Sequence, residues 1–528
     1  MKRNFPDDAN PSGGSPPNKL RRLASLVPHK SFANVLVEMD ELHHNFARPS
    51  LRLRDNKKSI SRLVTDWLDD VLTAAAFQQL DVQELANHSG DSSILIFGLT
   101  EAGNTICVRV NGFLNSFYHP IKSGYPEGFL DNLRQDLNEK LLGSYIKRIN
   151  QIKMPQIKGS TPSPYAEFLV ASSAASQKVA GLGAYTFQDL TLYPTRFIRK
   201  DVDYVSGFTA NSGLYGMKWI EILGEKYSVV ADSNRVSTCQ IEVRYSTRQR
   251  VIQAAQPPTT VAPLRILSFD IETMIPSNFS FPHPDKEPCI QIASMLTNHG
   301  ETEPFYRSVM TLKSCNKIEG ADVSTYEDEA SLLKAWISFL QKADPDVVTG
   351  YNTSRFDLQY ILLRARKLGV PCNIGRLADS RMETLKFDYQ QKKWDTVPCI
   401  PGVLNFDMLR YMFQECPLKP EEGKIQNPFT LGSSSLRFLN ENKEDVEYKL
   451  IPQLQAGTDE DRTRLAVYCL KDAYLPQRLL DKLDALNKWV KKAQEYPVPF
   501  NVSFLRDPRF LQRMQLIHQS KLEGYLGD

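Results

Sequence analysis

Two carboxylates at the end of an apolar segment are the residues best suited to chemistry in this sequence. The segment Leu264–Glu272 is rich in Leu, Ile and Phe, which predicts a buried strand. Side chains alternate between the faces of a strand, so Asp270 and Glu272 point the same way. Two adjacent negative charges are costly unless a cation neutralises them, and Mg²⁺ suits all-oxygen ligands. The alternative is that both acids end a strand at the surface.

A second polar cluster lies between a predicted strand and a predicted helix. Residues 346–351 predict a short buried strand, and a helix follows from about Asp357 to Leu368. Loops at strand ends are where α/β folds place ligands, so Asn352 and its neighbours are candidates for binding. Asp357 also has a structural use, because an acid in the first turn stabilises a helix. These residues are compatible with a ligand-binding role and with a purely structural role at the start of the helix.

A third cluster lies in a long predicted helix that begins near Asp461. Tyr468 and Asp472 are four residues apart, so they share one face of this helix. Apolar residues flank Asp472 at helical spacing, and an acid beside an apolar face requires a partner or a metal ion. Pro476 lacks the amide that would bond the carbonyl group of Asp472, which predicts a kink there, either as bending that serves a site or as an ordinary proline kink.

Composition limits the class of protein. The chain has 528 residues, of which 24% are charged and 41% hydrophobic, which predicts a globular protein of about three or four domains. The net charge of +3 does not indicate nucleic-acid binding, although a local basic groove is compatible with it. None of the eight cysteines forms a C-x-x-C pair, so no zinc or iron–sulfur site is predicted from spacing. No signal peptide and no membrane span are predicted.

The hydrophobic pattern of the sequence changes along the chain and predicts several segments. Helical patterns cover residues 59–85 and 127–149, and a hairpin is predicted from the strands at 93–99 and 105–110. This N-terminal region predicts an α+β fold that includes strands like those of a small oligonucleotide-binding barrel. The predicted divisions are a disordered tail at 1–31, an α+β domain at 32–245, a linker at 246–263, a further domain at 264–490 and a last segment at 491–528.

The domain at 264–490 has a readable order of elements. Strands are predicted at 264–272, 289–296 and 305–312, followed by a helix at 326–343 and then by the strand and helix of the second cluster. This order predicts an α/β fold with a mixed sheet and flanking helices. The basic residues in the tail, Lys2, Arg3, Lys19, Arg21 and Arg22, are compatible with a two-part nuclear import signal or with solvated charge.

Taken together and in this order, the three clusters resemble the 3′→5′ exonuclease site of the family B DNA polymerases, which has a ribonuclease H-like fold. The resemblance extends beyond the acids. Residues 344–352, 443–446 and 464–476 closely resemble the delta-type members of the family. Residues 110–113 and 117–118 resemble the N-terminal domain of the same members. The similarity runs from about residue 90 to about residue 500.

The resemblance implies a metal-dependent, proofreading 3′→5′ exodeoxyribonuclease that acts in DNA replication and repair on single-stranded or mispaired 3′ ends. Tyr468 would orient the attacking water, and Asn352 and Phe356 would bind the terminal nucleotides. The resemblance also implies a nuclear location, and accessory subunits and a sliding clamp as partners of a longer chain. The implied ligands of two Mg²⁺ or Mn²⁺ ions are Asp270, Glu272, Asp357 and Asp472.

Two departures from the family pattern accompany this resemblance. Arg355 stands where the family usually has Asn, which concerns the positioning of the substrate strand. The polymerase motifs of the family do not occur, so 491–528 is interpreted as the start of a truncated polymerase region, and no DNA synthesis is expected from this chain alone. The alternatives are a non-catalytic DNA-binding or regulatory fragment, a ribonuclease H-like RNA nuclease, and an epsilon-type polymerase.

Overall fold

The computed structural model divides the chain into two compact units, each discontinuous in sequence. Unit 1 comprises Met1–Leu63 and Pro263–Lys488, and unit 2 comprises Val64–Ala262 and Trp489–Asp528. The structure describes residues 31–45, 74–87, 90–223, 227–246, 252–253, 261–378, 387–388, 393–394, 400–418, 427–443 and 446–527. The predicted tail at 1–31 lies outside these residues except for its last position.

The helices and strands of the described residues are numbered here in chain order. The helices are α1 (Phe32–Asn45), α2 (Phe129–Lys140), α3 (Ser173–Ala180), α4 (Tyr204–Ser212), α5 (Glu329–Ala343), α6 (Asp357–Lys367), α7 (Met408–Glu415), α8 (Leu431–Leu439), α9 (Ile451–Ala456), α10 (Asp459–Lys482), α11 (Ala485–Ala493), α12 (Phe500–Leu505) and α13 (Pro508–Glu523). The strands of unit 2 are β1 (Ala74–Ala86), β2 (Ser92–Thr100), β3 (Thr105–Asn111), β4 (Asn115–Pro120), β5 (Ile146–Met154), β6 (Ser163–Val170), β7 (Tyr185–Phe187), β8 (Leu190–Leu192), β9 (Trp219–Leu223), β10 (Tyr227–Val229), β11 (Ile241–Ser246) and β12 (Ile252–Gln253). Those of unit 1 are β13 (Arg265–Thr273), β14 (Cys289–Asn298), β15 (Tyr306–Leu312), β16 (Asp322–Tyr326), β17 (Val347–Gly350), β18 (Phe387–Asp388), β19 (Lys393–Trp394) and β20 (Leu404–Asp407).

Unit 1 is built on a six-stranded mixed sheet in the order β16-β15-β14-β13-β17-β20. β13 pairs antiparallel with β14 and parallel with β17, so it lies near the centre of the sheet. Its alternation separates two faces. Leu267, Phe269 and Ile271 join the core formed with α5 and α6, where the ring of Phe269 packs 5.2 Å from that of Trp336. The side chains of Ser268, Asp270 and Glu272 therefore point to the opposite face.

Helix α10 covers that opposite face of the sheet. Ala466, Cys469, Leu470 and Ala473 of α10 pack against β14 and against α1, in one buried cluster. Ser268 of β13 donates a hydrogen bond of 2.6 Å to the carbonyl oxygen of Ala473, which ties the helix to the central strand. The predicted α/β arrangement, a mixed sheet with helices on it, is therefore confirmed.

Unit 2 contains a seven-stranded sheet in the order β10-β11-β3-β2-β1-β9-β12, and a separate three-stranded sheet in the order β4-β6-β5. The predicted hairpin is present, since β2 and β3 pair antiparallel with Ser93 opposite Asn111. The oligonucleotide-binding character of these strands stays a prediction. None of the helices that the structure describes has an apolar stretch of membrane-spanning length.

Parts of two helix predictions in unit 2 are wrong, and the linker at 246–263 stays a prediction. The helix predicted at 59–85 is strand β1 from Ala74 onward, because β1 bonds to β2 on one side and to β9 on the other. The helix predicted at 127–149 ends at Lys140, and Leu142 has a φ of 56° where the chain turns toward β5. In the predicted linker, Ile252–Gln253 forms β12 and pairs with β9.

The C-terminal segment has a place in unit 2. Leu511, Met514 and Ile517 of α13 form one buried cluster with Val202 and Ala210, on and just before α4. The compact units therefore group the sequence from Trp489 onward with the N-terminal region. Interpretation of 491–528 as the start of a polymerase region stays a prediction.

Candidate active site

The two acids of β13 lie on the same face of the sheet. Glu272 is buried and Asp270 is half-buried, both toward α10. One oxygen of each lies, together with Sγ of Cys469 on α10, in a group of atoms that are all within 4.8 Å of one another. The strand therefore continues into the protein, and the two acids do not end it at an open surface.

Asp357 reaches the same strand from α6. The parallel pairing of β13 with β17 ends at Ser268 opposite Thr349, whereas β13 continues to Thr273. The backbone N–H of Ile271, beyond the last pair, donates to Oδ1 of Asp357 at 3.2 Å. Asp357 is the first residue of α6 and is buried. Its carboxylate thus joins the helix to the strand that carries the first two acids.

Tyr468 and Asp472 project from α10 into the same region, and both are buried. The helix continues through Pro476 to Lys482 without interruption. One oxygen of Asp472 forms an ion pair with Lys443. The other, Oδ1, is buried and has no hydrogen-bond donor among the described residues. A buried carboxylate oxygen without a donor is unfavourable, and a cation would satisfy it.

Burial and mutual repulsion favour the protonated forms of these acids. Burial raises the pKa of Glu272 to about 8, and the charge of Asp472 adds to the effect. Burial also raises the pKa of Asp357 to about 8. The pKa values of Asp270 and Asp472 are raised in the same direction, chiefly by burial, and Lys443 opposes the shift of Asp472. The positive charge of Lys443 is therefore not enough to keep all four carboxyl groups of the cluster ionised.

Lys443 is a site residue whose role the sequence analysis missed. Its Nζ donates a 2.7 Å hydrogen bond to the Tyr468 hydroxyl and also contacts the Asp472 carboxylate. It lies 4.6 Å from the centroid of the Tyr468 ring. A lysine in a loop 25 residues before its partner has no spacing that marks it. In the sequence, residues 443–446 are distinguished only by their resemblance to the family.

Asp407, at the start of α7, is a second residue that was missed. Its buried carboxylate accepts from the backbone N–H groups of Asn352 at 2.9 Å and Ser354 at 3.1 Å. It also accepts from the N–H of Leu409 at 3.0 Å and so caps its own helix. One side chain thus holds the loop that leads to Asp357.

The predicted substrate-binding residues flank this loop. Asn352 has a φ of 70°, a conformation that asparagine tolerates better than most residues. The half-buried ring of Phe356 packs 5.3 Å from that of Phe281, which is 51% exposed. Arg355, which lies between Asn352 and Phe356 in the sequence, is exposed. An accessible aromatic surface therefore lies at the edge of the acidic cluster, where a base could stack.

Comparison with known protein families gives a match that includes three of the acids of this site. Residues 198–422, which include Asp270, Glu272 and Asp357, match the exonuclease domain of DNA polymerase family B. This chain carries that family B exonuclease domain. The matched segment ends before Tyr468 and Asp472, so these two residues rest on the geometry described above.

Similar curated relatives of this chain are DNA polymerase delta catalytic subunits. That of Schizosaccharomyces pombe is 34% identical over 463 residues, covering 84% of this chain and 41% of the relative. That of Oryza sativa subsp. japonica is 33% identical over 512 residues, covering 89% and 45%. That of Bos taurus is 31% identical over 504 residues, covering 87% and 44%. The chain thus spans less than half the length of each, and the predicted delta-type resemblance is confirmed.

A solved structure shares the fold. The family B DNA polymerase from the hyperthermophilic archaeon Pyrobaculum calidifontis superposes with a TM-score of 0.62, covering 85% of this chain and 51% of that chain at 17% identity. This supports the architecture of the exonuclease domain. The roles of the individual site residues stay predictions.

Replacing Lys443 with alanine should destabilise the metal-free exonuclease domain by about 2 kcal/mol, because Asp472 and Tyr468 lose a charged hydrogen-bond partner. The Lys443 side chain as a whole is 28% exposed, which keeps this value moderate. Mn²⁺ should reduce the difference, since a cation then neutralises Asp472. Chemical denaturation at pH 8, with and without Mn²⁺, measures both effects. Lys443→Arg is the matched control, and equal losses with and without Mn²⁺ would argue against a cation beside Asp472.

Metal affinity of the exonuclease site should rise with pH. Glu272 and Asp357 have pKa values of about 8, so both hold protons at pH 6 and must lose them to bind a cation. We expect Mn²⁺ to bind at least about tenfold more tightly at pH 7 than at pH 6, a factor of ten for each proton released per pH unit. Calorimetric titration at both pH values tests this. Glu272→Gln should flatten the dependence, whereas an equal affinity at both pH values in the parent chain would contradict it.

Proposed function

We propose that this chain is a metal-dependent 3′→5′ exodeoxyribonuclease that removes nucleotides from single-stranded or mispaired DNA ends, the proofreading portion of a delta-type replicative DNA polymerase. The main support for this proposal is that four acids and a tyrosine from β13, α6 and α10 lie together in one cluster within a family B fold.

The donor set fits hard divalent ions. Carboxylate oxygens are the ligands that Mg²⁺ and Mn²⁺ prefer, and the buried Oδ1 of Asp472 has no donor among the described residues. When bound, a pair of such ions supplies an activated water and neutralises charge on the phosphodiester. The residues that would hold them are Asp270, Glu272, Asp357 and Asp472.

Tyr468 is suited to orient the attacking water. Its hydroxyl oxygen accepts from Lys443, and the hydroxyl is also a hydrogen-bond partner of Asp472, so its own hydrogen can be donated to that carboxylate or to a water beside it. Burial raises the pKa of this phenol well above its usual value, so it keeps that hydrogen at neutral pH. The tyrosine therefore acts as a hydrogen-bond donor of fixed orientation, and it does not act as a base.

Asn352 and Phe356 would bind the end of the DNA strand. Phe356 presents a ring on which a base can stack without regard to its identity, which suits an enzyme that must remove any nucleotide. Arg355 is exposed beside them, where a cation can contact a phosphate. A nuclear location follows from this role in replication, and accessory subunits and a sliding clamp would be partners of a longer chain.

The proposal is tested with a single-stranded oligonucleotide labelled at its 5′ end. In Mg²⁺ we expect stepwise shortening from the 3′ end with release of mononucleotides, faster for a mispaired than for a paired terminus. In Ca²⁺ we expect binding without shortening. Binding in both ions with no shortening in Mg²⁺ at high protein concentration would instead support a non-catalytic DNA-binding role.

A further inference from the structure

A thiol lies beside the acids of the proposed exonuclease site. Cys469 follows Tyr468 on α10 and is fully buried. Its Sγ lies 3.7 Å from Oδ2 of Asp270 and 3.6 Å from the carbonyl oxygen of the same residue. Together with Glu272, these residues form the one mixed acid and thiol group found among the described residues that could hold a metal ion.

The distance from Sγ of Cys469 to one carboxylate oxygen of Asp270 is compatible with a small tetrahedral metal centre. Zinc–sulfur bonds of about 2.3 Å and zinc–oxygen bonds of about 2.0–2.2 Å, at the tetrahedral angle, separate the sulfur and oxygen by about 3.6 Å. The observed distance from Sγ to the Asp270 oxygen is 3.7 Å. Mg²⁺ gains nothing from a sulfur ligand, since it prefers oxygen in an octahedral arrangement.

A second observation points to a cation at the same place. Oδ1 of Asp472 is buried and has no hydrogen-bond donor among the described residues. Asp472 lies three positions after Cys469 on the same helix. After burial, the charge of Asp472 is the largest cause of the raised pKa of both Asp270 and Glu272, which places it close to them. Asp472 is thus available as a fourth ligand.

We propose that Asp270, Glu272 and Cys469 bind a thiophilic divalent ion, Zn²⁺ or Cd²⁺, and that this ion inhibits the exonuclease. The thiol releases its proton to solvent as the sulfur–metal bond forms. The ion then occupies the two carboxylates of β13, which become unavailable to Mg²⁺. The inhibition rests on the proposed function, whereas the binding does not.

Direct binding is tested by titrating the metal-free chain with Cd²⁺ and recording the ultraviolet thiolate-to-cadmium charge-transfer absorption. We expect a tight signal from one thiolate per chain, absent in Cys469→Ser and displaced by excess Mn²⁺. Asp270→Asn should weaken binding by at least about tenfold, the lower limit for groups that support a bound metal. Cys372→Ser, which removes a partly exposed thiol elsewhere in unit 1, should retain the signal.

Inhibition is tested by adding Zn²⁺ to the Mg²⁺-dependent reaction and dividing each rate by that of the same variant without Zn²⁺. Cys469→Ser should require at least about tenfold more Zn²⁺ for half inhibition. Equal cadmium signals in the parent chain and Cys469→Ser would overturn the proposal, and Cys469→Ala substitutes if the serine variant does not fold. A chain that gives the cadmium signal but cleaves no DNA in Mg²⁺ would contradict only the proposed function.

Discussion

Replacing Asp270 and Glu272 together with alanine should reduce the rate of 3′-end shortening in Mg²⁺ by at least about a thousandfold. Both carboxylates lie on one face of β13, next to Cys469 of α10, and they are half of the acidic cluster. Metal ions stabilise such transition states by several kcal/mol, and about 4 kcal/mol corresponds to about a thousandfold in rate. Initial rates on a labelled single-stranded oligonucleotide measure the effect.

The matched control removes two exposed acids from the same unit. Glu301→Ala with Glu319→Ala changes the net charge equally but lies outside the cluster, and it should retain the parental rate within about twofold, as surface substitutions usually have small effects. Circular dichroism and thermal unfolding must show that both double variants fold. If the Asp270 and Glu272 double variant digests DNA as fast as the parent, the proposed site is wrong.

Replacing Asp407 with alanine should lower the free energy of unfolding by at least about 3 kcal/mol. Its buried carboxylate accepts from three backbone N–H groups, of Asn352, Ser354 and Leu409. Each buried N–H left without an acceptor costs about 1–3 kcal/mol. The same change frees the loop before Asp357, so the exonuclease rate should fall as well, even in conditions where the variant is fully folded.

Two variants separate these effects. Asp328 caps α5 in a similar way, accepting from Ser331 at 2.9 Å, but it is exposed and holds no loop of the site. Asp328→Ala should therefore lower the free energy of unfolding by less than Asp407→Ala does and leave the rate unchanged. Asp407→Asn keeps one acceptor oxygen and should fall between the parent and Asp407→Ala. Equal stability losses in Asp328→Ala and Asp407→Ala would show that Asp407 is no more than a helix cap.

Local rules were sufficient for much of unit 1. Alternation along β13 placed Asp270 and Glu272 on one face, and the helical repeat placed Tyr468 and Asp472 together. The predicted bounds of α6 and the predicted start of α10 agree with the structure to within about two residues, the usual uncertainty of helix ends. These features depend on neighbours within a few positions, and the residues themselves therefore specify them.

The same rules were misleading in unit 2. The helix predicted from apolar spacing before β1 extends to residue 85 and so overlaps β1, which begins at Ala74. Strands on both sides instead satisfy its backbone groups, and that partnership involves residues as distant as Leu223. Strand formation of this kind is decided by packing against other strands, which a local pattern does not report.

The composition of the site beyond its acids depended on contacts between distant segments. Lys443 lies 25 residues from Tyr468, Asp407 lies 55 residues from Asn352, and Cys469 lies 199 residues from Asp270. No spacing rule connects such pairs. The acids are recognisable in the sequence because their chemistry is demanding and their spacing follows strand and helix geometry. The lysine, the loop-holding aspartate and the thiol acquire their roles only when the folded sheet and α10 bring them to the acids.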